Sequence, residues 1–385
     1  MKLKKGIWKD SEFGDIVQNI NVHDKDPLSN EVDRFISLDH IDSGNLKLTR
    51  WGDLNSESTT FTKVFKSSDT LFGKRRSYLK KVALADFDGI CSGDILVFRS
   101  KNGFPSDLIP FIVASDRFID YAVSTSAGSL SPRTKWKDLA KFQIKLPPKD
   151  EQEKILSLFL TLEKQIGQTE AQEGNLRKLC KKLIDSYIDK YEFGELLHNK
   201  PLKEYFWKDC VDKIMRRIDP VEEGIERIVA GENLEAEDFK VRTWGTVGVD
   251  FLGPAFHVMF EPGDILYGSR RTYLRKVALA DFKGVCANTT FVVKAKQHLL
   301  LQDFLKHIML SERFTKYSIA KSKGSTNPYI NWKDLDDFTF KLPDIETQKA
   351  MVEILDKCIA LAEEARTQKE TLKKLKHKLL DEILG

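Results

Sequence analysis

The 385-residue chain is short of the features that mark several large functional classes. Its five cysteines, Cys91, Cys180, Cys210, Cys286 and Cys358, are odd in number and scattered, with no Cys-x-x-Cys pair. That spacing excludes a disulfide framework and a structural zinc site, and it suits a reducing cytoplasm. The seven histidines, among them His298 and His307, show no metal-ligand spacing, so no metal is expected. No apolar run approaches the roughly 18 residues of a membrane helix. The basic residues at 1–5 are followed by no apolar core of a signal peptide. A cytoplasmic chain with no membrane partner is the expectation. A Gly-x-x-x-x-Gly-Lys phosphate loop, a Gly-x-Gly-x-x-Gly after a strand and a Gly-x-Ser-x-Gly elbow are all missing. Nucleotide motors, dinucleotide enzymes and serine hydrolases of those types are thereby set aside. Charge of one sign is scarce too: 62 Lys and Arg against 58 Asp and Glu leave a net charge of only +4. A nucleic-acid partner must then be met by local clusters, not by the overall field.

What the chain does have is an internal repeat. Residues 73–91 read GKRRSYLKKVALADFDGIC, and residues 268–286 read GSRRTYLRKVALADFKGVC. Fourteen of these 19 positions are identical at a fixed offset of 195, far more than chance supplies. The match extends both ways. Trp51-Gly52 pairs with Trp244-Gly245, and Phe65 and Asp69 pair with Phe260 and Asp264. Downstream, at an offset of 196, Gly128-Ser129 and Pro132 pair with Gly324-Ser325 and Pro328. Trp136-Lys137-Asp138-Leu139 and Lys145-Leu146-Pro147 recur as Trp332-Lys333-Asp334-Leu335 and Lys341-Leu342-Pro343.

Each copy ends in a long amphipathic pattern. The first has Ile155, Leu158, Phe159, Leu162 and Ile166, then Leu176, Leu179 and Leu183. The second has Ile354, Leu355, Cys358 and Ala362, then Leu372, Leu375 and Leu379. Steps of three and four put one apolar stripe on each helix. Pro147-Pro148 before Asp150, with Glu153 three residues on, predicts a capping-box start, and Pro343-Asp344 plays that part in the second copy. Each helix spans about 40 residues, or roughly 60 Å. Gly167 and Gly174 predict a kink or break in the first. Two equivalent stripes in one chain are natural partners. Paired antiparallel, they act as a ruler between two globular units. The globular parts mix β-like runs (residues 81–87, 291–293 and 338–342) with a helical run at 299–317, which predicts an α+β class. The expected plan is residues 1–148 globular, 149–190 helix, 191–200 linker, 201–343 globular and 344–385 helix.

Two loop types are candidates for contact with nucleic acid. The first is Lys74-Arg75-Arg76-Ser77-Tyr78-Leu79-Lys80-Lys81, with five cations and no acid; its counterpart carries Arg270, Arg271, Tyr273, Arg275 and Lys276. Cations interleaved with an aromatic and a hydroxyl suit phosphate contacts, and we assign these to Lys74, Arg75, Arg76, Tyr78, Lys81, Arg270, Arg271, Tyr273 and Lys276. A solvated surface loop is the plainer reading of such a run. The second is the Gly/Ser loop ahead of each Trp-Lys-Asp-Leu. It carries Ser129, Arg133 and Lys135 in one copy and Lys321, Lys323, Ser325, Asn327 and Tyr329 in the other. If the copies read different half-sites, shared residues build and position, and base readers are among those that differ. That adds Arg99, Lys101, Asn102 and Asn288 as candidates. Asn327-Pro328-Tyr329 lacks the second proline of an amino-methyltransferase Asn-Pro-Pro-Tyr motif and reads as a turn.

Taken together, the paired Arg-Arg-x-Tyr-Leu-x-Lys-Val-Ala-Leu-Ala-Asp-Phe segments, the Trp-Lys-Asp-Leu and Lys-Leu-Pro runs with Gln152 and Gln348, and the terminal helices resemble the specificity subunits of type I restriction-modification systems. The resemblance covers essentially the whole chain. It implies two mixed α/β target recognition domains, each binding half of a bipartite, asymmetric site in double-stranded DNA. It implies an antiparallel coiled coil that sets the spacer and docks two methyltransferase subunits, with restriction or translocase subunits as a further class of partner. S-adenosylmethionine and adenine methylation then belong to the partners, so this chain needs no cofactor and no catalytic residue. Two other readings stay open on residues alone: a helical interaction scaffold without DNA specificity, and a self-contained DNA-modifying enzyme.

Overall fold

The computed structural model describes residues 5–191, 202–250 and 253–384. They pack as two compact units, Met1–Glu170 with Thr367–Gly385, and Ala171–Arg366. The linker expected at residues 191–200 lies outside the described residues except for Tyr191.

In the first unit the central sheet has the order Val17–Ile20, Ile95–Ser100, Thr70–Gly73 and Val82–Leu84, with every neighbour antiparallel. A second sheet runs Gly52–Asp53, Arg34–Ile36, Gly89–Cys91 and Lys63–Phe65, with its middle pair parallel. Period-two alternation explains how the layers stack. Phe72, Val82, Leu96 and Phe98 face one way into a cluster with the helices. Leu71, Ala83, Ile95 and Val97 face the other way into a cluster with Ile36, Phe65 and Cys91 of the second sheet. The central strands are therefore apolar on both faces, which is why they read as continuous hydrophobic runs.

The second unit repeats the plan. Its central sheet is Val211–Ile214, Thr290–Ala295, Ile265–Gly268 and Val277–Leu279. Tyr267, Val277, Phe291 and Val293 face the helices, and Leu266, Ala278 and Val292 face an outer sheet of Arg216–Arg217, Phe256–Phe260, Gly284–Ala287, Arg227–Val229 and Gly245–Thr246. A short strand pair closes each unit: Lys9–Glu12 with Gln143–Leu146, and Lys203–Phe206 with Thr339–Leu342. The Trp-Lys-Asp-Leu motif belongs to this closure. Trp136 packs on Phe13 at 6.1 Å and Trp332 on Trp207 at 6.0 Å, while Leu139 and Leu335 are fully buried. Tyr121 and Tyr317 donate to the carbonyls of Asp138 and Asp334, each at 3.1 Å.

The helical run expected at 299–317 is two helices, Gln302–Leu310 and Glu312–Lys321. Ser311 between them is extended, and its hydroxyl accepts from the Phe314 amide at 3.2 Å. Ser115 does the same for Phe118 ahead of Asp116–Ser124, at 3.4 Å. Serine is a favoured cap because its oxygen satisfies an amide the helix leaves open.

Both long helices form, as Lys149–Ile184 and Ile345–Leu384. The first runs unbroken through Gly167 and Gly174, so the expected break is corrected. A mid-helix glycine costs about 1 kcal/mol relative to alanine but keeps its amide, so packing on either side can hold it helical. The expected cap is corrected in one copy as well. Asp150 lies inside the first helix and pairs with Lys154 at 3.0 Å, and Pro148 supplies the carbonyl for the first turn. In the second copy Asp344 does cap, accepting from the Thr347 amide at 2.8 Å. Gln152 and Gln348 hook back to the carbonyls of Pro147 and Pro343 at 2.8 and 3.0 Å, which accounts for the Lys-Leu-Pro…Gln spacing.

The helices pair reciprocally. Within the first unit, Glu163 meets Lys376 at 2.8 Å, and Ile155, Phe159 and Leu162 share a core with Leu380, Ile383 and Leu384. Within the second, the Cys358 thiol donates to the Leu176 carbonyl at 3.7 Å. The early half of one helix thus meets the late half of the other, the antiparallel arrangement. Burial, with a hydrogen bond that its S–H donates to Cys358, pushes the neighbouring Cys180 thiol up to about 12. Carboxylates from these helices also meet the short helices Asp116–Ser124 and Glu312–Lys321 at their amino ends, where the dipole favours them. Asp381 accepts from the Asp116 amide at 3.0 Å, and Asp189 from the amides of Glu312 and Arg313 at 2.9 and 3.3 Å. By the repeat offset Asp381 matches Asp185, so the π turn Asp185–Asp189 moves the role on by four residues.

One ion cluster in the second unit, built on buried His307 and Lys306, makes a pH prediction. His307 is fully buried, and its Nε2 lies 2.8 Å from Asp356, which Lys306 also approaches at 2.9 Å; Lys306 in turn meets Asp303 at 3.3 Å. Burial holds the imidazole below its ordinary value and outweighs the pull of Asp356. The folded state then keeps His307 neutral where the unfolded chain binds a proton. Stability from this group is complete above the ordinary histidine value and declines as pH falls below it, by up to about 1.4 kcal/mol per pH unit. Urea unfolding of the wild type is expected to show this loss between about pH 7.5 and about pH 5.5. His307→Gln, which cannot titrate, is expected to flatten it; an equal slope in the variant overturns the assignment.

Candidate nucleic-acid interface

The two loop types that the sequence offers separately form a single surface in each unit. In the first, the backbone of Arg75 pairs with Arg133, and the Arg76 amide donates to the Pro132 carbonyl at 2.8 Å. In the second, Arg270 pairs with Tyr329, and the Arg271 amide donates to Pro328. Each Gly/Ser loop is closed by its own backbone pair, Ala127 with Arg133 and Lys323 with Tyr329. Gly128 at φ +110° and Gly324 at φ +90° begin the tips, in a region where a Cβ is strained.

The cationic turn has an unusual backbone, and it has it twice. Arg76 and Lys80 are left-handed at φ +53° and +50°, and Arg271 and Arg275 at +50° and +53°. Each such non-glycine residue costs on the order of 1 kcal/mol, which the surrounding contacts must outweigh. A single 3₁₀ turn lies between them, Ser77–Leu79 and Thr272–Leu274, with Ser77 and Thr272 buried. The turn presents Tyr78 and Tyr273 to solvent, 54% and 51% exposed.

The cations of this turn divide by task. Lys80 pairs with Asp116, and Arg275 with Glu237 at 3.1 Å and Glu312 at 3.4 Å, anchoring the turn to the helix behind it. Lys81 and Lys276 donate to the carbonyls of Leu38 and Gly231, equivalent positions in the two copies. Lys74 and Arg76 have no ion pair among the described residues, and neither does Arg270. Arg271 reaches Asn327 at 3.2 Å. Arg75 donates to Ser131 at 3.1 Å and lies 3.5 Å from Asp94, which Arg133 also pairs with at 2.8 Å. The two arginines hold the Asp94 carboxyl below its ordinary range, Arg133 chiefly through its hydrogen bond. In the second unit Thr289 stands where Asp94 stands in the first, and its carbonyl accepts from Ser269 at 2.6 Å. The framework is therefore common and the polar chemistry above it is not.

The other candidates are spread. Ser129, Lys135 and Ser325 are exposed on the Gly/Ser loops, Lys321 is exposed at the end of the helix Glu312–Lys321, and Lys323 pairs with Asp334 at 3.0 Å. Asn288 is exposed in the turn that carries Thr289. Arg99, Lys101 and Asn102 are not brought to the loop pair by any of their bonds. Arg99 makes a two-pronged pair with buried Asp69 at 2.7 and 2.8 Å, a task that Arg216 performs for Asp264 in the second unit. Lys101 and Asn102 donate to the carbonyls of Gly14 and Asp15 at 2.8 and 2.9 Å. The one His and carboxylate grouping within metal-ligand reach among the described residues, Asp116, His377 and Asp381, is accounted for by ion pairs, since Lys80 also meets Asp116.

Residues 8–176 and 234–374 match the family model of the type I restriction modification DNA specificity domain, well over half of the chain. The chain belongs to this family. It is 27% identical over 317 residues to the type I restriction enzyme MjaVIII specificity subunit of Methanocaldococcus jannaschii, covering 77% of this chain and 73% of that one. It is 29% identical over 177 residues to the EcoDI specificity subunit of Escherichia coli, covering 44% and 39%. In fold it resembles the S subunit of a type I restriction-modification system from M. genitalium, with a TM-score of 0.59 at 13% identity over 100% and 98% of the chains. A chain from a study of complex assembly and conformational transition in a type I system gives 0.57 at 21% identity over 97% and 96%. No helix among the described residues is long and apolar enough to cross a membrane.

Two members of the specificity-domain surface escaped the sequence reading. Asp94 looks like an ordinary turn acid, and only the fold places it between two arginines. Leu130 is flanked by Ser129 and Ser131 in a Gly/Ser loop, a lone apolar residue among polar ones, and that contrast was the available signal.

Proposed function

We propose that this chain recognises a bipartite, asymmetric DNA site for a type I restriction-modification complex and carries out no chemistry itself. The observation that carries this reading is the loop pair. Each unit joins a cationic turn and a Gly/Ser loop into one surface, with the same backbone frame and different polar groups at the tips. Shared cations contacting phosphate fix register on the duplex, and the unshared tip residues choose the bases. Two such surfaces in one chain allow two different half-sites, which a symmetric dimer cannot offer. The partners in this reading are double-stranded DNA and two methyltransferase subunits, which hold the S-adenosylmethionine, together with restriction or translocase subunits. The complex works in the cytoplasm.

The deciding experiment is to map methylated sites in a genome that carries the intact complex. One two-part motif with a fixed spacer is expected, and it should disappear when this chain is deleted. Methylation that persists without the chain overturns the reading. Purified chain that binds S-adenosylmethionine or cuts DNA returns the self-contained enzyme. Globular units that bind no DNA at any salt concentration return the scaffold. The paired helices supply a second prediction. Matched insertions of four residues beside Thr169 and Ala365 add about 6 Å of helix and are expected to lengthen the spacer by about two base pairs. A spacer of unchanged length in the mapped sites ends the ruler idea.

A further inference from the structure

We propose that Leu130 reads a thymine by covering its C5 methyl group in the major groove, an inference that rests on the loop pair being the DNA-reading surface. Leu130 is 89% exposed, the most exposed large hydrophobic side chain among the described residues. A single exposed leucine is ordinary on a protein surface. Its setting is not. It stands at the tip of a loop locked at its base by the Ala127 and Arg133 backbone pair and turned by Gly128. Its neighbour Ser131 is held by Arg75 at 3.1 Å, so the tip is tied directly to the cationic turn. An apolar side chain projecting from a braced loop beside phosphate-seeking cations needs an apolar feature on the duplex. In the major groove that feature is the thymine methyl, which marks the strand and position of an A·T pair. The sugars also carry apolar C–H surface, but the same at every position, so only the methyl tells one base from another.

The repeat supports this placement. The framework glycine and proline of the loop are common to both copies, but the tip is not: Leu130 corresponds to Thr326. A threonine presents one methyl and a hydroxyl, so it suits a different base edge. A leucine kept only for folding would be buried, and this one touches no core cluster.

The test uses the intact complex and a duplex bearing the site it methylates. Each thymine in turn is replaced by uracil, which removes only the C5 methyl. For the wild type, one position in one half-site is expected to lose about fourfold in affinity, the worth of one covered methyl. Leu130→Ala is expected to weaken binding to the thymine duplex by a similar factor and to make thymine and uracil equivalent at that position alone. Thr326→Ala should leave that position unchanged. Full thymine preference at every position in Leu130→Ala overturns the proposal, as does a wild type indifferent to uracil everywhere. If either occurs while Arg76→Ala still weakens binding, the Leu130 inference falls and the DNA-reading surface stands. If the complex prefers no sequence at all, both fall.

Discussion

Alanine at both Arg75 and Arg76 is expected to weaken binding of the complex to every duplex, matched or mismatched, by on the order of 10- to 100-fold at about 0.1 M salt. The slope of log affinity against log salt should shrink by up to about 1.8, since each neutralised phosphate contributes about 0.9. The two arginines are not equivalent. Arg76 is exposed and unpaired among the described residues, on a turn whose amide is bound to Pro132. Arg75 shares Asp94 with Arg133, and that carboxylate already offsets part of its charge. Arg76 should therefore carry more of the effect. In the second unit no carboxylate replaces Asp94, so Arg270→Ala should cost more than Arg75→Ala. Titrations at several salt concentrations separate the outcomes. Unchanged affinity rejects the phosphate role. A changed site preference with an unchanged slope makes these residues base readers instead.

Much of this arrangement was legible in the sequence because it is written twice. The repeat located both cationic turns, both Gly/Ser loops and the Trp-Lys-Asp-Leu closure before any fold was known. Apolar stripes on residues 155–183 and 354–379 located the long helices, because a stripe at helical spacing has to be covered. Divergence between copies picked out Arg133 and Tyr329, and both stand at the joint between the loops. What escaped depends on contacts between distant residues. Arg99 was a candidate base reader because the copies differ there, but Asp69, thirty residues away, holds it with two hydrogen bonds. Lys101 and Asn102 were candidates on the same ground, and they brace the helix Phe13–Ile16 through its carbonyls. The break expected at Gly167 and Gly174 rested on local propensity, which tertiary packing overrides. Asp150 was a sound cap by pattern, yet the helix begins one residue earlier, and Lys154 claims its carboxylate.

The largest effect on stability is expected from Phe159→Ala. Phe159 is fully buried, and its ring stacks on Phe111 at 4.9 Å with the planes 20° apart. It belongs to the cluster that joins the sheet face of the first unit to both long helices, with Ile155 on its own helix and Leu380 on the other. Truncation leaves a cavity that the sheet on one side and the paired helix on the other cannot both collapse into, so the cost is about 3–5 kcal/mol. For a unit of this size that corresponds to a fall in Tm of roughly 6–20 °C. Leu160→Ala, one residue on and 44% exposed, is the internal comparison and should cost about 0.5 kcal/mol or less. Calorimetry of the two variants tests whether the long helix is a lever attached to the domain or part of its core. If Phe159→Ala melts no lower than Leu160→Ala, the helix is merely appended. If it melts far lower, the helix is part of the first unit's core, in one cluster with Phe72 and Phe98 of the central sheet and Leu380 of the second long helix.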